Sequence, residues 1–359
     1  MSLKFGRPEE AGFAPEGLEA ARTALEDAIA QDAFPGAVAF VARRSVIAAA
    51  WALGLRQVSP DRAMTHDAVF DLASLTKAIC TAPVLLRLAA DGRLPLDTLV
   101  GDCLPWTQSH FVARRTLRDL LTHQGGLPPS ADIPWAAEPG ERHRLLLLAT
   151  ATKPRDGIVY SDLGYYLLGL AAEAATGQGL GELFRRIVGE PLGLQDTRFW
   201  PYAADALVVP SELREGVLLQ GVVHDGKARL MGLPTGHAGL FAPALDVLTF
   251  AQALLDGGVG PLGHFLPEDS VRLMFTAQTK SVDPRSLGLF YWGGRDDPAH
   301  RLDLWGHTGF TGTSFALAPD QGLAIVLLTN RVHPFRRPEA GLKAARQRFH
   351  EAVLASLCD

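Results

Sequence analysis

Ser74 and Lys77 stand three positions apart in Phe70-Asp71-Leu72-Ala73-Ser74-Leu75-Thr76-Lys77-Ala78, a polar turn running into a helical pattern. Residues at that spacing share one face of a helix, so the hydroxyl and the amine can meet. A serine hydroxyl is a poor nucleophile until a nearby base takes its proton, and an amine one turn away is one way to supply that base. Two short motifs further along, Tyr160-Ser161-Asp162 and His307-Thr308-Gly309, add a phenol, a carboxylate and an imidazole. A serine-x-x-lysine pair alone recurs by chance on surface helices; the other two motifs give it weight. The set points to acyl transfer through serine.

These residues need elements to carry them. Pro15 to Ala30 has apolar residues in helical rhythm, with the proline suited to the first turn. Gly36 to Ala42 and Val46 to Leu53 read as a hairpin. Asp61 to Asp71 is a polar approach to a helix from about Ser74 to Ala90, with a bend or break at Pro83. Helices are expected at Thr116 to Leu121, Glu141 to Ala151, Asp162 to Ala175, Gly181 to Val188 and Pro243 to Leu255. Leu287 to Trp292, Asp303 to Gly306, Gly312 to Ala318 and Leu323 to Thr329 read as strands, and Pro338 to Leu357 as a closing helix. Strands therefore lie early and late, with helices between. The expected fold is α+β: one antiparallel sheet flanked by the terminal helices, with an inserted helical domain. Residues 1–73 and 235–359 would form the sheet domain and 74–234 the helical one, with a cleft at their junction.

The three motifs stand in the order and rough separations found in serine beta-lactamases, penicillin-binding proteins and their esterase relatives. The chain most resembles the class C beta-lactamase-like branch. Leu120 to Pro128, Gly236 to Phe241 and Asn330 look similar as well, so the resemblance runs from roughly Pro8 to the final helix. It implies a beta-lactamase/transpeptidase-like fold, with Ser74 as nucleophile, Lys77 as its close partner and Tyr160 as shared general base and acid. The sequence leaves both Lys77 and Tyr160 as candidates for the group that takes the serine proton. A cation beside a phenol favours the phenolate, which is the physical logic of that pairing. Ser74 opens a helix, so its own N–H can face a developing oxyanion, and the resemblance draws the second donor from the backbone of Phe310. Asp162, His307, Thr308 and Gly309 would contact substrate, Gly309 by letting it approach the backbone closely.

Two positions depart from the family pattern. His307 stands where most peptidase and lactamase relatives carry lysine, and an imidazole is mostly uncharged near neutrality. That favours an uncharged ester or amide over a penicillin or a D-alanyl-D-alanine peptide. Asp162 replaces the usual asparagine; it can pair with Lys77, or it can be an ordinary N-cap of the helix that follows. His307 has its own bland alternative, packing or capping a strand edge. His224-Asp225 and His237 are too far apart in sequence to argue for a metal, and His123 in its turn reads as structural or as support for the site. Tyr165, Tyr166, Tyr291, Trp292 and Trp305 are cleft or core, and aromatic residues are more often core. The pocket around Trp305, His307 and Phe310 is expected to set what fits.

Composition narrows the partners. With 359 residues, 47% of them hydrophobic and 20% charged, the chain can bury a substantial core. A formal net charge of -5 with scattered lysines and arginines gives no electrostatic case for nucleic acid. Three cysteines, Cys80, Cys103 and Cys358, make no disulfide framework, and Cys80 reads as a buried structural thiol. No apolar window reaches the length of a membrane span, and no secretory signal opens the sequence, so the expected location is cytoplasmic unless the sequence is trimmed. The expected partner is a small-molecule ester, amide or short peptide, and no cofactor is implied.

Overall fold

The computed structural model describes residues 2–131, 141–142, 153–202, 207–281, 284–292 and 304–358. Its main sheet is built from long apolar strands whose side chains alternate between two faces. In Gly36–Arg43, Val38, Phe40 and Ala42 face one core while Ala37, Ala39 and Val41 face another. Leu323–Thr329 repeats the pattern, with Ala324, Val326 and Leu328 on the first side and Leu323, Ile325 and Leu327 on the second. Both faces are therefore covered, and the strands read as continuous hydrophobic runs.

Along the sheet the order is Lys4–Phe5, Val46–Gln57, Gly36–Arg43, Leu323–Thr329, Thr313–Ala318, Trp305–Thr308 and Phe290–Tyr291, with Arg62–Ala63 paired to Val46–Gln57 off this path. All pairs are antiparallel except the first, where Lys4 and Phe5 run parallel to Val46 and Ile47. The sheet is thus mixed rather than wholly antiparallel, because the chain reaches this edge before the hairpin and returns to it through a helix. Asn330 ties the sheet end together: its Oδ1 accepts from the Gly36 N–H, and its Nδ2 donates to the carbonyls of Leu55 and Arg56.

The second face is covered by Pro15–Ala30 and Glu339–Ala355, which bury Leu18, Ala21 and Leu25, and Leu342, Ala345, Phe349 and Val353. The termini clasp one another. The Ala14 N–H donates to the Ser356 carbonyl at 2.7 Å and the Cys358 N–H to the Gly12 carbonyl at 2.9 Å. The helical block closes the first face, and its residues join the sheet side chains in one continuous core.

Several elements differ from the sequence expectation. The helix after Ser74 begins at Leu75, and its irregularity is a π-helical stretch at Lys77–Thr81, upstream of Pro83; the α-helix then runs unbroken over Ala82–Ala90. Pro83 sits near the start of that regular segment, where a missing N–H is cheap. The supposed polar approach ends in a buried strand, Val69–Asp71, which pairs with Leu240–Pro243 and through it with Arg198–Phe199. Leu287 to Leu289 form a turn instead of a strand, bent at Gly288 with φ +102°. A single helix from Gly181 to Val188 becomes Leu180–Phe184 followed by a π-helical Arg185–Gly189. Beyond its first two residues, which are helical, the helix expected over Glu141 to Ala151 lies outside the described residues, as does Asp303. Cys80 is fully buried, and burial pushes its thiol pKa up. No helix among the described residues is long and apolar enough to cross a membrane.

A Cβ on Gly17 would lie 2.3 Å from the Ser356 Cβ and 2.8 Å from its Cα. Gly17→Ala gains at most about 1 kcal/mol of helix propensity but forces the clasp of the termini apart, an overpacking cost of about 1–3 kcal/mol. Urea unfolding should show a net loss of stability; a variant as stable as the parent would refute the close packing.

Candidate active site

A buried carboxylate shapes the turn that presents Ser74. Asp71 Oδ1 accepts the Ala73 N–H at 2.8 Å, and Oδ2 accepts the His224 N–H at 2.7 Å. Burial pushes the Asp71 pKa up to about 6, against the pull of those two hydrogen bonds. The turn holds Ala73 at φ +47°, in the left-handed region that residues with a Cβ seldom occupy. Ser74 follows, half-buried and facing a cleft of about 490 Å³. Thr76 fixes the turn from below, donating to the Ala73 carbonyl at 2.7 Å and accepting the Leu240 N–H at 3.2 Å.

Lys77 is wholly buried, and all three donors of its ammonium find acceptors. Nζ lies 2.9 Å from Ser74 Oγ, 2.7 Å from Asp162 Oδ1 and 3.0 Å from the His237 carbonyl oxygen. Burial works to lower the Lys77 pKa, but the charge of Asp162, the neighbouring Tyr160 and hydrogen bonds to both outweigh it, so the net shift is upward. The distinction matters because a neutral amine would give its two N–H groups to Asp162 and His237 and accept the serine proton on its lone pair. A charged one donates to Ser74 instead. The raised pKa selects the charged form near neutrality.

Asp162 reaches Lys77 because it is freed from capping. Ser161 is the N-cap of Asp162–Thr176; its Oγ accepts the Gly164 N–H and donates to the Pro128 carbonyl. The N-cap alternative for Asp162 is thereby replaced by an ion pair. The His237 carbonyl arrives through Gly236, where a Cβ would lie 2.0 Å from the Tyr165 carbonyl oxygen. That close approach accounts for the glycine in Gly236 to Phe241.

Tyr160 is held by His123, whose part exceeds anything its sequence position suggested. The His123 carbonyl accepts the Val159 N–H at 2.9 Å, and its Nδ1 accepts the Ser161 N–H at 3.1 Å. The two bonds clamp the backbone on either side of Tyr160. The rings pack at 4.5 Å, and Lys77 Nζ lies 5.0 Å from the Tyr160 ring centroid. Burial, reinforced by the nearby cations Arg285 and Lys77, drives the His123 pKa well down, so its ring is neutral with the proton on Nε2.

The third motif closes the cleft. Thr311 Oγ1 donates to the Asp71 carbonyl at 2.7 Å and Thr313 Oγ1 to the Leu72 carbonyl at 3.0 Å, drawing Gly309 and Phe310 against the turn that carries Ser74. A Cβ on Gly309 would lie 2.4 Å from the Leu72 carbonyl oxygen, so this glycine answers to contact with the chain's own backbone. The N–H groups of Ser74 and Phe310 have no acceptor among the described residues, and both residues line the cleft. His307 is buried beside Tyr160 at 6.2 Å between rings, and its Nδ1–H donates to the Thr308 carbonyl at 2.9 Å. Burial and the Lys77 charge push its pKa down to about 3, so it is neutral. It borders an adjoining lobe of the cleft shared with Tyr160 and Thr308, rather than the lobe holding Ser74.

This arrangement can be set beside known proteins. Residues 21–348 match the family profile described as Beta-lactamase. The chain belongs to the beta-lactamase family. Within that superfamily of serine hydrolases, it is 31% identical to the N-acetylmuramyl-L-alanine amidase of Bacillus subtilis strain 168, over 94% of this chain and 86% of the relative. It is also 31% identical to an Escherichia coli K12 protein named "Putative D-alanyl-D-alanine carboxypeptidase", over 75% of this chain and 70% of that one. The solved structure of EstCE1, a hydrolase with promiscuous acyltransferase activity, shares the fold at a TM-score of 0.77 and 21% identity, covering 94% of this chain and 98% of that one. A class C beta-lactamase from Rhodobacter sphaeroides does so at 0.76 and 20%, covering 94% and 99%.

The fold therefore brings Ser74, Lys77, Tyr160 and Asp162 together and sets Thr308, Gly309 and Phe310 across the same cleft. Trp305 lies in the core against Tyr291, away from the cleft, and Tyr165 and Tyr166 are core as well. Trp292 borders the His307 lobe. His224-Asp225 and His237 meet beside the turn that carries Ser74, where His237 Nε2 lies 3.1 Å from Asp225 Oδ1.

Asp162→Asn removes the main charge that raises the Lys77 pKa, so burial lowers it against the remaining pull of Tyr160 alone. The alkaline limb of the pH–rate profile for kcat should move to lower pH, by about one unit or more. An unmoved limb would contradict the pairing, and a faster rate at neutral pH would make Lys77 the base.

Proposed function

We propose that this chain is a serine esterase or amidase working through a covalent acyl-enzyme on Ser74. The observation that carries the proposal is the contact of Ser74 Oγ with a buried lysine locked to Asp162, at the floor of an open cleft. In the proposed sequence Tyr160, entering as the phenolate, takes the Ser74 proton and becomes a phenol while Oγ attacks the substrate carbonyl. The N–H groups of Ser74 and Phe310 receive the oxyanion. Tyr160 returns the proton to the departing alcohol or amine, then activates a water that hydrolyses the ester on Ser74. Lys77 keeps its charge throughout and faces the tyrosine oxygen as negative charge forms there. Asp162 holds that ammonium in place.

A peptidoglycan D-alanyl-D-alanine carboxypeptidase or weak beta-lactamase is the second reading, favoured by the relative of that name in Escherichia coli K12. The neutral His307 weighs against it, since a substrate carboxylate on that strand loses its customary cation. A third is a sensor that becomes acylated without turnover.

A panel of p-nitrophenyl esters, nitrocefin and a D-alanyl-D-alanine peptide separates the three. Ester turnover should fall by about 10³-fold or more in Ser74→Ala, the loss typical of a missing nucleophile. Peptide or nitrocefin turnover in preference to esters would move the second reading ahead, and stoichiometric labelling without turnover the third. Ester hydrolysis surviving in Ser74→Ala would end the proposal.

A further inference from the structure

The cleft has two lobes that meet at Tyr160 and Thr308. On the reading of Tyr160 as the acid that protonates the leaving group, that group departs into the lobe beyond it, beside His307 and Trp292. The acyl portion then occupies the lobe of Ser74 and Phe310. We propose that this lobe is a subsite for a carboxylate carried on the acyl part of the substrate.

Its wall is cationic. Arg214, Lys227, Arg331 and Arg336 line it around Phe310, a residue 52% exposed. The guanidinium carbons of Arg331 and Arg336 lie 4.9 and 5.3 Å from the centroid of that ring, and His224 stacks on it at 5.6 Å. Arg331 also donates to the Phe310 carbonyl, which fixes the ring's backbone. Arg214 sits on a short hairpin, Leu213–Arg214 against Val217–Leu218, tied to the loop of Arg336 by the Leu213 N–H on the Pro334 carbonyl at 2.7 Å.

The carboxylates at this wall are already engaged: Asp162 with Lys77 at 2.7 Å and Glu339 with Lys343 at 3.3 Å. Glu212 accepts from His224 Nε2 at 2.8 Å and Arg336 Nε at 3.0 Å, leaving Arg214 at 3.9 Å. Asp225 meets His237 and accepts the N–H groups of Lys227 and Ala228 at 3.0 and 2.8 Å. The Lys227 ammonium has no hydrogen-bond or ion-pair partner among the described residues. His224 is neutral, burial above all holding its pKa below the usual imidazole range, and adds no charge of its own. An acyl chain lying on Phe310 would bring a terminal carboxylate toward Lys227 and Arg214, the least satisfied cations of the wall.

The test compares mono-p-nitrophenyl adipate with p-nitrophenyl hexanoate, acyl chains of equal length with and without a carboxylate. Wild type should favour the adipate in kcat/KM by roughly 5- to 10-fold at low salt, and Lys227→Met with Arg214→Met should bring the ratio toward one. A parallel pair, 3-acetoxybenzoate and phenyl acetate, places the charge on the leaving group. Equal rates for the two acyl chains, or a preference confined to the charged leaving group, would overturn the assignment. Binding to Ser74→Ala separates this subsite from the catalytic reading. Monomethyl adipate should bind that variant more tightly than methyl hexanoate by calorimetry, and equal binding would reject the subsite even if ester turnover stands. Absence of ester turnover in wild type would instead count against the hydrolase reading alone.

Discussion

An ammonium cannot be buried without acceptors, and the environment of Lys77 meets that demand with three, from three different parts of the chain. Effective desolvation of such a group costs several kcal/mol, and removing one partner of a buried pair typically costs 3–5 kcal/mol. The requirement sets where other elements go. The helix beginning at Asp162 must start beside Lys77, and the Gly236 to Phe241 stretch must pass close enough to offer its His237 carbonyl. The turn that carries Ser74 must hold it at the remaining donor. Thr81 and Thr76 reinforce the same junction, one donating to the Gly236 carbonyl and the other accepting the Leu240 N–H. The π-helical turn begins at Lys77 itself, where the helix adjusts to this crossing.

The charge of Lys77 also governs its neighbours. His123 and His307 both lose protons to burial, with the lysine adding to the effect, so the cation is ringed by neutral imidazoles and tyrosine faces. Among the described residues, Asp162 is the one carboxylate directly bonded to it. The replacement of lysine by histidine in the third motif fits this picture physically: an uncharged ring can be buried 6.2 Å from Tyr160 without opposing Lys77. Cationic side chains also line the wall beside Phe310.

What the sequence made legible follows from how local each signal is. Pro15–Ala30 and Leu323–Thr329 match their expected spans because strong periodicity and clear end signals decide them. The Ser74–Lys77 contact was readable because helical spacing alone nearly guarantees it. Asp162 and Tyr160 were readable as chemistry but not as geometry, since pairing 85 positions apart depends on which residue caps the helix. Ser161 and Asp162 are both good caps, and only tertiary contact decides between them. The three-residue strand Val69–Asp71 exists because Leu240–Pro243 pairs with it, and no local pattern announces so short an element. His123 gave no sign of its clamp, which uses backbone geometry at φ +59°. The charged wall beside Phe310 was equally invisible, being assembled from Arg214 on a hairpin, Lys227 on the helix Gly226–Met231, and Arg331 and Arg336 after the last strand.

The charge on Lys77 is the claim on which the account rests, and nitrogen NMR of the ¹⁵N-labelled lysine side chains reads it directly. The resonance of Lys77, assigned by its loss in Lys77→Met, should keep the ammonium shift from about pH 6 to about pH 9, since the pairing raises a pKa already near 10.4 in model peptides. A neutral amine at pH 7 would contradict the account and return the serine proton to lysine.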